Sequence, residues 1–449
     1  MNDRVTAPRQ KTVLPTNVPP APEELWKRKY ESFGLVFARF LALLTIIAAP
    51  ITGSAILATL AIVAFVLQIL TNQVRRSMFV RNLYGLPCLR PDQPVAPDPA
   101  AWPGVSFISP ARNEEAGIEV AARSVAALDY PDIEVIYVDD HSTDSTPAIL
   151  DRLAAEFPRL RVLHDPPSQE GWLGKANAVW HGLADSDASK PWVVLADADV
   201  VFEPGALRQA IALAVANKLD FLTCVAYIDN GSLGEELYMP CAWAGIIQGS
   251  HYNRLNEPRT PAIGIGAFTL VKRSIYLSSG GHAAIYDRHP EDTLLAALVR
   301  KHGGNMGVCW TPSMIRVRIY RGFNQLQQFI VRKIRMQSED RIARMGNRVV
   351  YLLIQDVLPL PMFVAACVRQ IAIGDFSFSM TFYAIMALIT YLTNVGAFEK
   401  FRHIARMRRY LEWFHPIGGL LRIYFYIVAA LQVAARRGME WRGRDYTHR

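Results

Sequence analysis

The chain has few cysteines, and their spacing excludes the small folds that depend on cross-links or on zinc. Among its 449 residues the five cysteines lie far apart, at Cys88, Cys224, Cys241, Cys309 and Cys367. Neither a disulfide framework nor a metal-ligand pattern is therefore predicted. We interpret the cysteines as small buried side chains in a reducing compartment.

The chain also lacks a basic stripe with interleaved aromatic residues, so nucleic acid is not the predicted partner despite a formal net charge of +8. Its basic residues instead flank apolar runs, as at the cytoplasmic ends of membrane helices. They are Arg75, Arg76 and Arg81 after the first run, and Lys400, Arg402, Arg406, Arg408 and Arg409 after a later one.

No signal peptide is predicted at the amino terminus, because no apolar stretch follows within the length of such a signal. Residues 1–22 contain five prolines and few large apolar side chains. This composition is typical of chains that cannot bury enough surface to fold. Residues 1–32 are therefore predicted to be a disordered tail.

Charge is nearly absent from residues 33–72, where Arg39 is the single charged side chain. A membrane span needs about 20 residues, so this stretch is long enough for two. Pro50 and Gly53 lie at its centre, which favours a transmembrane hairpin with both ends in the cytoplasm. The alternative is one long tilted helix.

A second apolar region covers residues 348–435 and is followed by a basic tail at 436–449, predicted to be cytoplasmic. Three spans would place that tail outside, so one of the three apolar runs is predicted to be interfacial or re-entrant. The runs are Val349–Ile373, interrupted by Pro359 and Pro361, Phe376–Phe398, and Phe414–Ala435.

Between the apolar regions, a proline-rich linker is predicted at residues 73–103 and an α/β domain at 104–347. Short apolar strands at Val105–Ser109, Glu134–Val138 and Trp192–Leu195 alternate with stretches of helical periodicity. This alternation predicts a mainly parallel sheet, whose ligands bind at the carboxyl ends of the strands.

Asp197-Ala198-Asp199 follows the last of these strands. Two carboxylates one residue apart can hold a hard cation such as Mg²⁺ or Mn²⁺, which would neutralise charge on a departing diphosphate. A short Asp-x-Asp pattern taken alone is more often a solvated loop. Its position after a buried strand favours the metal site.

Two further clusters suit a nucleotide. Asp140, after the second strand, could accept a hydrogen bond from a base, although Ser142 and Asp144 nearby could simply cap a helix. Lys175 lies in the stretch 171–178, where glycines open a helix that suits a phosphate. The spacing is not that of a P-loop, and a flexible loop is the alternative.

Glu291 and Asp292 begin a predicted helix after the stretch Gly280-Gly281-His282. One of them could be a general base for an acceptor hydroxyl, or both could merely cap the helix. Arg332 and Arg335, one helical turn apart, could meet a diphosphate. The alternative for this arginine pair is a basic face near a membrane surface.

Taken in order, these motifs resemble those of family 2 glycosyltransferases with the GT-A fold, a Rossmann-like α/β domain. The resemblance covers about residues 104–335. The apolar flanks are similar to those of the integral-membrane branch, and within that branch the chain resembles the hopene-associated and carotenoid-type lipid glycosyltransferases. The matching motifs are Pro110-Ala-Arg-Asn-Glu-Glu, Leu128-Asp-Tyr-Pro, the stretch 138–146, Gly174-Lys-Ala, Asp197-Ala-Asp, Glu291-Asp and Trp441-Arg-Gly-Arg-Asp-Tyr.

The resemblance implies an inverting enzyme with a UDP-sugar donor, a membrane lipid acceptor and Mg²⁺ or Mn²⁺. It also implies a multi-pass protein of the inner membrane with its catalytic domain in the cytoplasm. By this resemblance, Asp292 would be the base, His282 and Glu291 would lie on the acceptor side, and Asp197 and Asp199 would bind the metal. Asp140 would bind the uracil. The residues of the donor pocket would be Pro110, Glu114, Asp140, Lys175, Asp197 and Arg332.

One departure from the family pattern bears on the acceptor. Processive members carry Gln-x-x-Arg-Trp, whereas this chain has Gln328-Phe-Ile-Val-Arg332-Lys333, without the tryptophan. This favours transfer of a single sugar to a lipid. The alternatives are a processive polysaccharide synthase, a transferase to polyprenyl phosphate, and a nucleotide-binding scaffold without turnover.

Overall fold

A computed structural model describes most of the chain as two units. The described residues are 10–16, 18–21, 33–92, 94, 96, 98–239, 252–257, 260–318, 320, 322–374, 376–405, 408–436, 440–441 and 444–445. We call residues 1–27, 83–229 and 250–318 the sheet unit, and residues 28–82, 230–249 and 319–449 the helical unit.

The sheet unit contains an eight-stranded mixed sheet of order β3-β2-β1-β4-β7-β6-β8-β5. As predicted, strands β1 to β4 lie parallel. β7 runs antiparallel to both neighbours, and β5 runs antiparallel to β8. The strands are β1 Val105–Ala111, β2 Ile133–Asp139, β3 Leu160–His164, β4 Trp192–Leu195, β5 Val200–Phe202, β6 Phe221–Ile228, β7 Thr269–Lys272 and β8 Met306–Val317.

Helices of the sheet unit cover the strands with apolar faces. In α3 the buried residues include Ile118, Ala121, Ala122 and Val125, a spacing that places them on one side of a helix. The helices are α3 Ile118–Ala126, α4 Thr146–Glu156, α5 Gly174–Asp185, α6 Ala206–Ala216, α7 Arg273–Ser278 and α8 Glu291–Lys301.

The register of the strands brings four chain segments to one edge of the sheet. Ala111 at the end of β1 lies opposite Asp139 at the end of β2. Leu195 at the end of β4 pairs with Thr269 at the start of the antiparallel β7. The residues that follow β1, β2 and β4 therefore meet the residues that precede β7.

The prediction of a disordered tail at 1–32 is wrong for the part that the structure describes. Thr12 and Ala21 are both buried in the sheet unit. The Thr12 N–H donates to the Ser186 carbonyl (3.1 Å), and the Ala21 N–H donates to the Ala284 carbonyl (2.7 Å). Specific backbone and side-chain contacts replace the large apolar residues that this segment lacks. Residues 1–9, 17 and 22–32 lie outside the described part.

The first apolar stretch forms two helices, α1 Phe33–Thr52 and α2 Ala55–Tyr84. The chain turns at Gly53, whose φ of +68° suits glycine at a helix end. Arg369 fills the space beside it and donates to the Ile51 carbonyl (3.2 Å). Residues 73–84, predicted as linker, continue α2, because the polar residues there are compatible with a helix.

The rest of the helical unit is formed by α9 Phe323–Ser338, α10 Ile342–Leu352, a π-helical turn Leu353–Val357, α11 Pro359–Ile373, α12 Phe378–Ala405, a 3-10 turn Leu411–Phe414 and α13 His415–Ala434. Within the described ranges, four helices are long and apolar enough to cross a membrane, at 34–52, 55–82, 378–399 and 411–434. The segments 342–357 and 359–373 form a pair bent by 60°. The bend falls in the apolar run interrupted by Pro359 and Pro361, and proline breaks a helix by removing an N–H donor.

The basic tail is described only at two short antiparallel strands, β9 Glu440–Trp441 and β10 Arg444–Asp445. The remaining residues of 437–449 lie outside the described part.

Candidate active site at the carboxyl edge of the sheet

Lys175 joins two of the predicted site carboxylates. Its Nζ lies 2.6 Å from Asp197 Oδ1 and 2.7 Å from Glu291 Oε1. Lys175 reaches this position because α5 begins at Gly174, next to the carboxyl edge. The structure thus brings together three residues that are separated by up to 116 positions in the sequence (291 − 175).

The charges of this cluster keep one another ionised. Burial opposes ionisation of Glu291, but the Lys175 ammonium and a hydrogen bond from His289 hold the pKa of its carboxyl well below its usual range. Burial also disfavours the charged form of Lys175, and Asp197 and Glu291 outweigh it and keep the pKa of the amine well above its usual value. The pair is therefore charged at neutral pH.

Asp292 differs from its neighbour because no cation contacts it directly in the described structure. Its Oδ2 accepts a hydrogen bond from the Gly266 N–H (2.9 Å), and its Oδ1 accepts one from the Thr293 N–H (2.7 Å). Burial raises the pKa of Asp292 to about 6, and the Glu291 carboxylate contributes to the rise. A carboxylate with a pKa in this range can accept a proton at neutral pH and release it again.

Capping of α8 explains fewer of the contacts of Glu291 and Asp292 than a role in a ligand-binding site does. The N-cap position of α8 is Pro290, which has no side-chain capping bond. Asp292 reaches across to the segment before β7, and Glu291 reaches to Lys175 and His289. Each carboxylate therefore has a partner outside its own helix, and Asp292 Oδ1 also accepts the Thr293 N–H within it.

Gly264 and Gly266 are site residues that the sequence reasoning missed. A Cβ on Gly266 would lie 2.8 Å from Asp197 Oδ2, and one on Gly264 would lie 2.0 Å from the Asp292 carbonyl oxygen. The Gly266 carbonyl also accepts the Asp197 N–H (3.1 Å). Because both residues are glycines, one backbone segment can contact both Asp197 and Asp292. In the sequence, the pattern that could have indicated this close approach is a pair of glycines just before an apolar strand.

His282 lies in a 3-10 turn, Gly281–Ile285, that borders this cluster. Its Nδ1 lies 2.7 Å from the Tyr276 hydroxyl, which also accepts the His282 backbone N–H (3.2 Å). Burial lowers the pKa of His282 to about 4, against the opposing influence of Glu291. The ring is therefore neutral at neutral pH.

The predicted nucleotide side is formed by two loops that follow β1 and β2. The Asp140 N–H donates to the Ala111 carbonyl (2.8 Å), and Arg112 Nη1 donates to the Asp140 carbonyl (2.5 Å). The Asp140 carboxylate is buried, with His141 Nδ1 at 3.3 Å from its Oδ1. Pro110 lies within β1, opposite Val138.

The N-cap of α4 is Ser145, without a side-chain capping bond, so neither Ser142 nor Asp144 is the N-cap that the alternative interpretation predicted. Asp144 accepts the backbone N–H groups of Thr146 (2.9 Å) and Glu115 (3.1 Å). The Glu114 N–H donates to the Thr146 hydroxyl (2.8 Å). Asp144 therefore stabilises the loop, while Asp140 lies at the end of β2, where a ligand of the sheet edge would bind.

The residues at Asp197 and Asp199 fit a hard divalent cation. In the described part of the chain, no three His, Cys, Asp or Glu side chains converge as a metal-binding group. Mg²⁺ needs only one or two carboxylates when water and substrate phosphates supply the other ligands. Asp197 is 39% exposed, and the absent Gly266 side chain leaves its Oδ2 accessible.

Arg332 lies on α9, in the helical unit. Its guanidinium is 5.3 Å from the centre of the Phe329 ring, and its contact with a diphosphate stays a prediction. Arg335, its predicted companion, is buried and donates two hydrogen bonds to Asp340, both 3.0 Å. Arg335 is therefore occupied within the helical unit.

Comparison with known proteins identifies a family profile and several relatives. The Glycosyl transferase family 2 profile matches residues 106–278. The beta-monoglucosyldiacylglycerol synthase of Synechocystis sp. is 41% identical over 101 residues, which are 22% of this chain and 21% of that protein. The 4,4'-diaponeurosporenoate glycosyltransferase of Staphylococcus aureus is 22% identical over 351 residues, 76% of this chain and 88% of the relative.

A mannosyltransferase from Pyrobaculum calidifontis, solved with GDP-Man and Mn²⁺, aligns with 85% of this chain and 97% of its own at 19% identity and a TM-score of 0.44. The match to the Synechocystis protein covers only about a fifth of that relative's length. The profile match, by contrast, takes in β1 to β7 and the motifs from Pro110 to Gly266. Residues 106–278 therefore form a Glycosyl transferase family 2 domain.

Proposed function

We propose that this protein transfers a single sugar from a UDP-sugar to the hydroxyl group of a membrane lipid, with inversion at the anomeric carbon. The observation that carries the proposal is Asp292, a partly buried carboxylate with a raised pKa, whose Oδ2 accepts the Gly266 N–H beside the Lys175 cluster. A carboxylate in this state suits proton abstraction from a neutral hydroxyl.

In the proposed reaction, Asp292 takes the proton of the acceptor hydroxyl while the hydroxyl oxygen of the acceptor attacks the anomeric carbon. The bond from that carbon to the diphosphate breaks, and UDP leaves with the electron pair. A divalent cation, when bound by Asp197 and Asp199, would supply positive charge for the leaving diphosphate. Glu291, kept ionised by Lys175, disfavours a second negative charge on Asp292 and so raises its affinity for the proton.

On the donor side, we propose that the uracil binds near Asp140, at the end of β2, and that the phosphates bind near Lys175, at the start of α5. Pro110 and Glu114 would line the pocket, and Arg332 would meet the diphosphate. A helix N-terminus carries partial positive charge, so a phosphate at the first turn of α5 is favourable. On the acceptor side, His282 and Glu291 would hold the sugar-accepting group near Asp292.

A lipid acceptor is supported by two independent features. The described part of the chain contains four helices of membrane-spanning length and composition, and we propose that they insert in the inner membrane with the sheet unit on the cytoplasmic side. Two relatives are named for the glycosylation of a diacylglycerol and of a carotenoid acid. The absence of tryptophan after Arg332 favours one transfer over polymerisation.

The test uses the full-length protein in lipid nanodiscs, several labelled UDP-sugars and a lipid extract, with products identified by mass spectrometry. We expect one singly glycosylated lipid with one donor and loss of the product in EDTA. Asp292→Asn should fold and bind UDP but transfer sugar at least 100-fold more slowly. Asp151→Asn, which neutralises an exposed aspartate on α4, is the matched control.

Each alternative predicts a different result. A ladder of products would show processive synthesis. Near-normal turnover by Asp292→Asn would refute its role as base and would indicate an acceptor that is already ionised, such as a polyprenyl phosphate. A wild-type protein that binds UDP but neither transfers nor hydrolyses any UDP-sugar would be a scaffold.

A further inference from the structure

Residues 10–21, described except for residue 17, run along the sheet unit; we call them the N-terminal strap. The strap begins at the edge of the sheet opposite the candidate site. There the Thr12 N–H donates to the Ser186 carbonyl (3.1 Å), and the Gln10 carbonyl accepts the Ala188 N–H (2.8 Å). Short β-type pairing therefore fixes the first end of the strap.

The Thr12 side chain strengthens this attachment through a buried arginine. Arg273 Nη1 donates to the Thr12 hydroxyl (2.6 Å) and to the Ser186 hydroxyl (2.9 Å). Its Nη2 donates to Ser106 Oγ (2.7 Å), at the start of β1. Arg273 and Thr12 are only 5% and 6% exposed, so the strap completes a hydrogen-bond network inside the sheet unit.

The other end of the strap packs on the turn that carries His282. A Cβ on Gly280 would lie 2.5 Å from Val18 Cγ1, and Gly280 has a φ of +84°, so both sterics and backbone conformation require glycine. Three residues later, the Ala21 N–H donates to the Ala284 carbonyl (2.7 Å). The strap thus holds the turn by contact at two points.

The same turn is in contact with the donor side of the site. The Tyr286 carbonyl accepts the Leu173 N–H (2.8 Å), and the rings of Tyr286 and Trp172 lie 5.5 Å apart. Leu173 is the residue before α5, whose second residue is Lys175. A displacement of the turn would therefore move both His282 and the start of α5.

We propose that the N-terminal strap is a positioning element of the site, which fixes the turn Gly281–Ile285 and so places His282 for the acceptor. The prolines of the strap serve this purpose, because Pro15, Pro19 and Pro20 restrict the chain before it docks and lower the entropy lost on ordering. The proposal rests on the proposed function only for the identity of the acceptor side.

Ala21→Pro removes the N–H that binds the Ala284 carbonyl. Ala21 lies between Pro20 and Pro22, and a residue before proline already favours the extended conformation that proline adopts. Ala21→Gly keeps the N–H and is the matched control. Lys11→Ala removes an exposed ion pair with Asp185 at the other end and is a second control.

Two readouts in full-length protein in nanodiscs test the proposal. Hydrogen–deuterium exchange of residues 281–286 should be at least tenfold faster in Ala21→Pro than in either control. The KM for the lipid acceptor should rise at least fivefold, and by a larger factor than the KM for the UDP-sugar, because the turn carries His282 itself but meets α5 only through Leu173 and Trp172. Deletion of residues 1–21 should produce the same changes to a greater extent.

Equal exchange and equal acceptor KM in Ala21→Pro and Ala21→Gly would overturn the proposal. An equal loss of donor and acceptor affinity together with a lowered melting temperature would also overturn it, because a merely stabilising strap has that effect. If the wild-type protein transfers no sugar, the proposed function is refuted. If exchange is nevertheless faster in Ala21→Pro, the contact between the strap and the turn is still supported.

Discussion

The two units of this protein bury polar side chains in different ways. In the sheet unit, charged residues converge at one edge, where Lys175 bridges Asp197 and Glu291 beside Asp292. In the helical unit, three uncharged amides pair with one another. Asn72 Nδ2 donates to Asn394 Oδ1 (2.8 Å), and Gln355 Nε2 donates to Asn72 Oδ1 (2.5 Å).

The difference follows from the surroundings of each cluster. A charge is costly between apolar helices, whereas an amide supplies donors and acceptors without a net charge. Asp356, a buried acid of the helical unit, is neutralised by Arg422 at 3.2 Å. In the sheet unit, burial and the Glu291 carboxylate raise the pKa of Asp292, which no cation contacts directly in the described structure. The sheet unit therefore gathers charged groups at one edge, whereas the helical unit pairs uncharged amides between its helices.

The largest effect is expected from Lys175→Met. Without the ammonium, Asp197 and Glu291 lose a shared partner, and only His289 still opposes proton binding by Glu291. We expect kcat/KM to fall at least about 100-fold, the scale for loss of a group that stabilises charge in a site. Steady-state kinetics with UDP binding measured separately checks this.

Lys190→Met is the control for Lys175→Met, since Lys190 pairs with Asp132 at the opposite edge of the sheet. Equal activity of the two variants would contradict the view that the carboxyl edge is the active site.

The next effect concerns pH. Because Asp292 has a pKa of about 6, raised by burial and by Glu291, its base form is lost below that pH. We expect kcat/KM to fall about tenfold per pH unit below pH 6 and to level off above pH 7. The raised pKa also means that the protonated form contributes stability to the fold at low pH, and this contribution is lost as the pH rises towards 6. A profile that is flat from pH 5 to pH 7 would contradict this assignment.

The smallest effect on activity is expected from Asn394→Leu in the helical unit. In the wild-type protein, Asn394 Nδ2 donates to the Gln355 carbonyl (2.6 Å), and Asn394 Oδ1 accepts from Asn72 Nδ2. The change removes both hydrogen bonds. The free energy of unfolding in mixed micelles should fall by about 1–3 kcal/mol, the cost of buried polar groups left unpaired. Sugar transfer at saturating substrate should change less than twofold.

Thr393→Val is the control for Asn394→Leu, because the Thr393 hydroxyl bonds only to the nearby Thr390 carbonyl (2.8 Å) in the described structure. A loss of activity in Asn394→Leu as large as that in Lys175→Met would erase the distinction between the two units.

Local sequence pattern was enough to predict several parts of the site. A buried strand before Asp197, a glycine-started helix at Lys175 and a helix beginning at Glu291 all agree with the structure. The turn at Gly53 between α1 and α2 was predicted for the same reason, since glycine between two apolar runs interrupts a helix.

Other features depend on contacts between distant residues and leave little trace in local pattern. The antiparallel direction of β7 is one example, and it brings Gly266 next to both Asp197 and Asp292. The strap is another: its prolines and polar residues resemble a disordered tail, yet Thr12 and Ala21 are buried by hydrogen bonds to Ser186, Arg273 and Ala284.

The sequence by itself determined the class of the domain, the apolar helices and the identity of the candidate site residues, because strand ends, hydropathy and short motifs are local properties. Only the tertiary structure decided which carboxylate carries a cation and which does not. Glu291 and Asp292 are adjacent in the chain, but the side chain of one reaches Lys175 and the other accepts the Gly266 N–H. Their pKa values move in opposite directions because a pKa depends on the groups around a side chain in space.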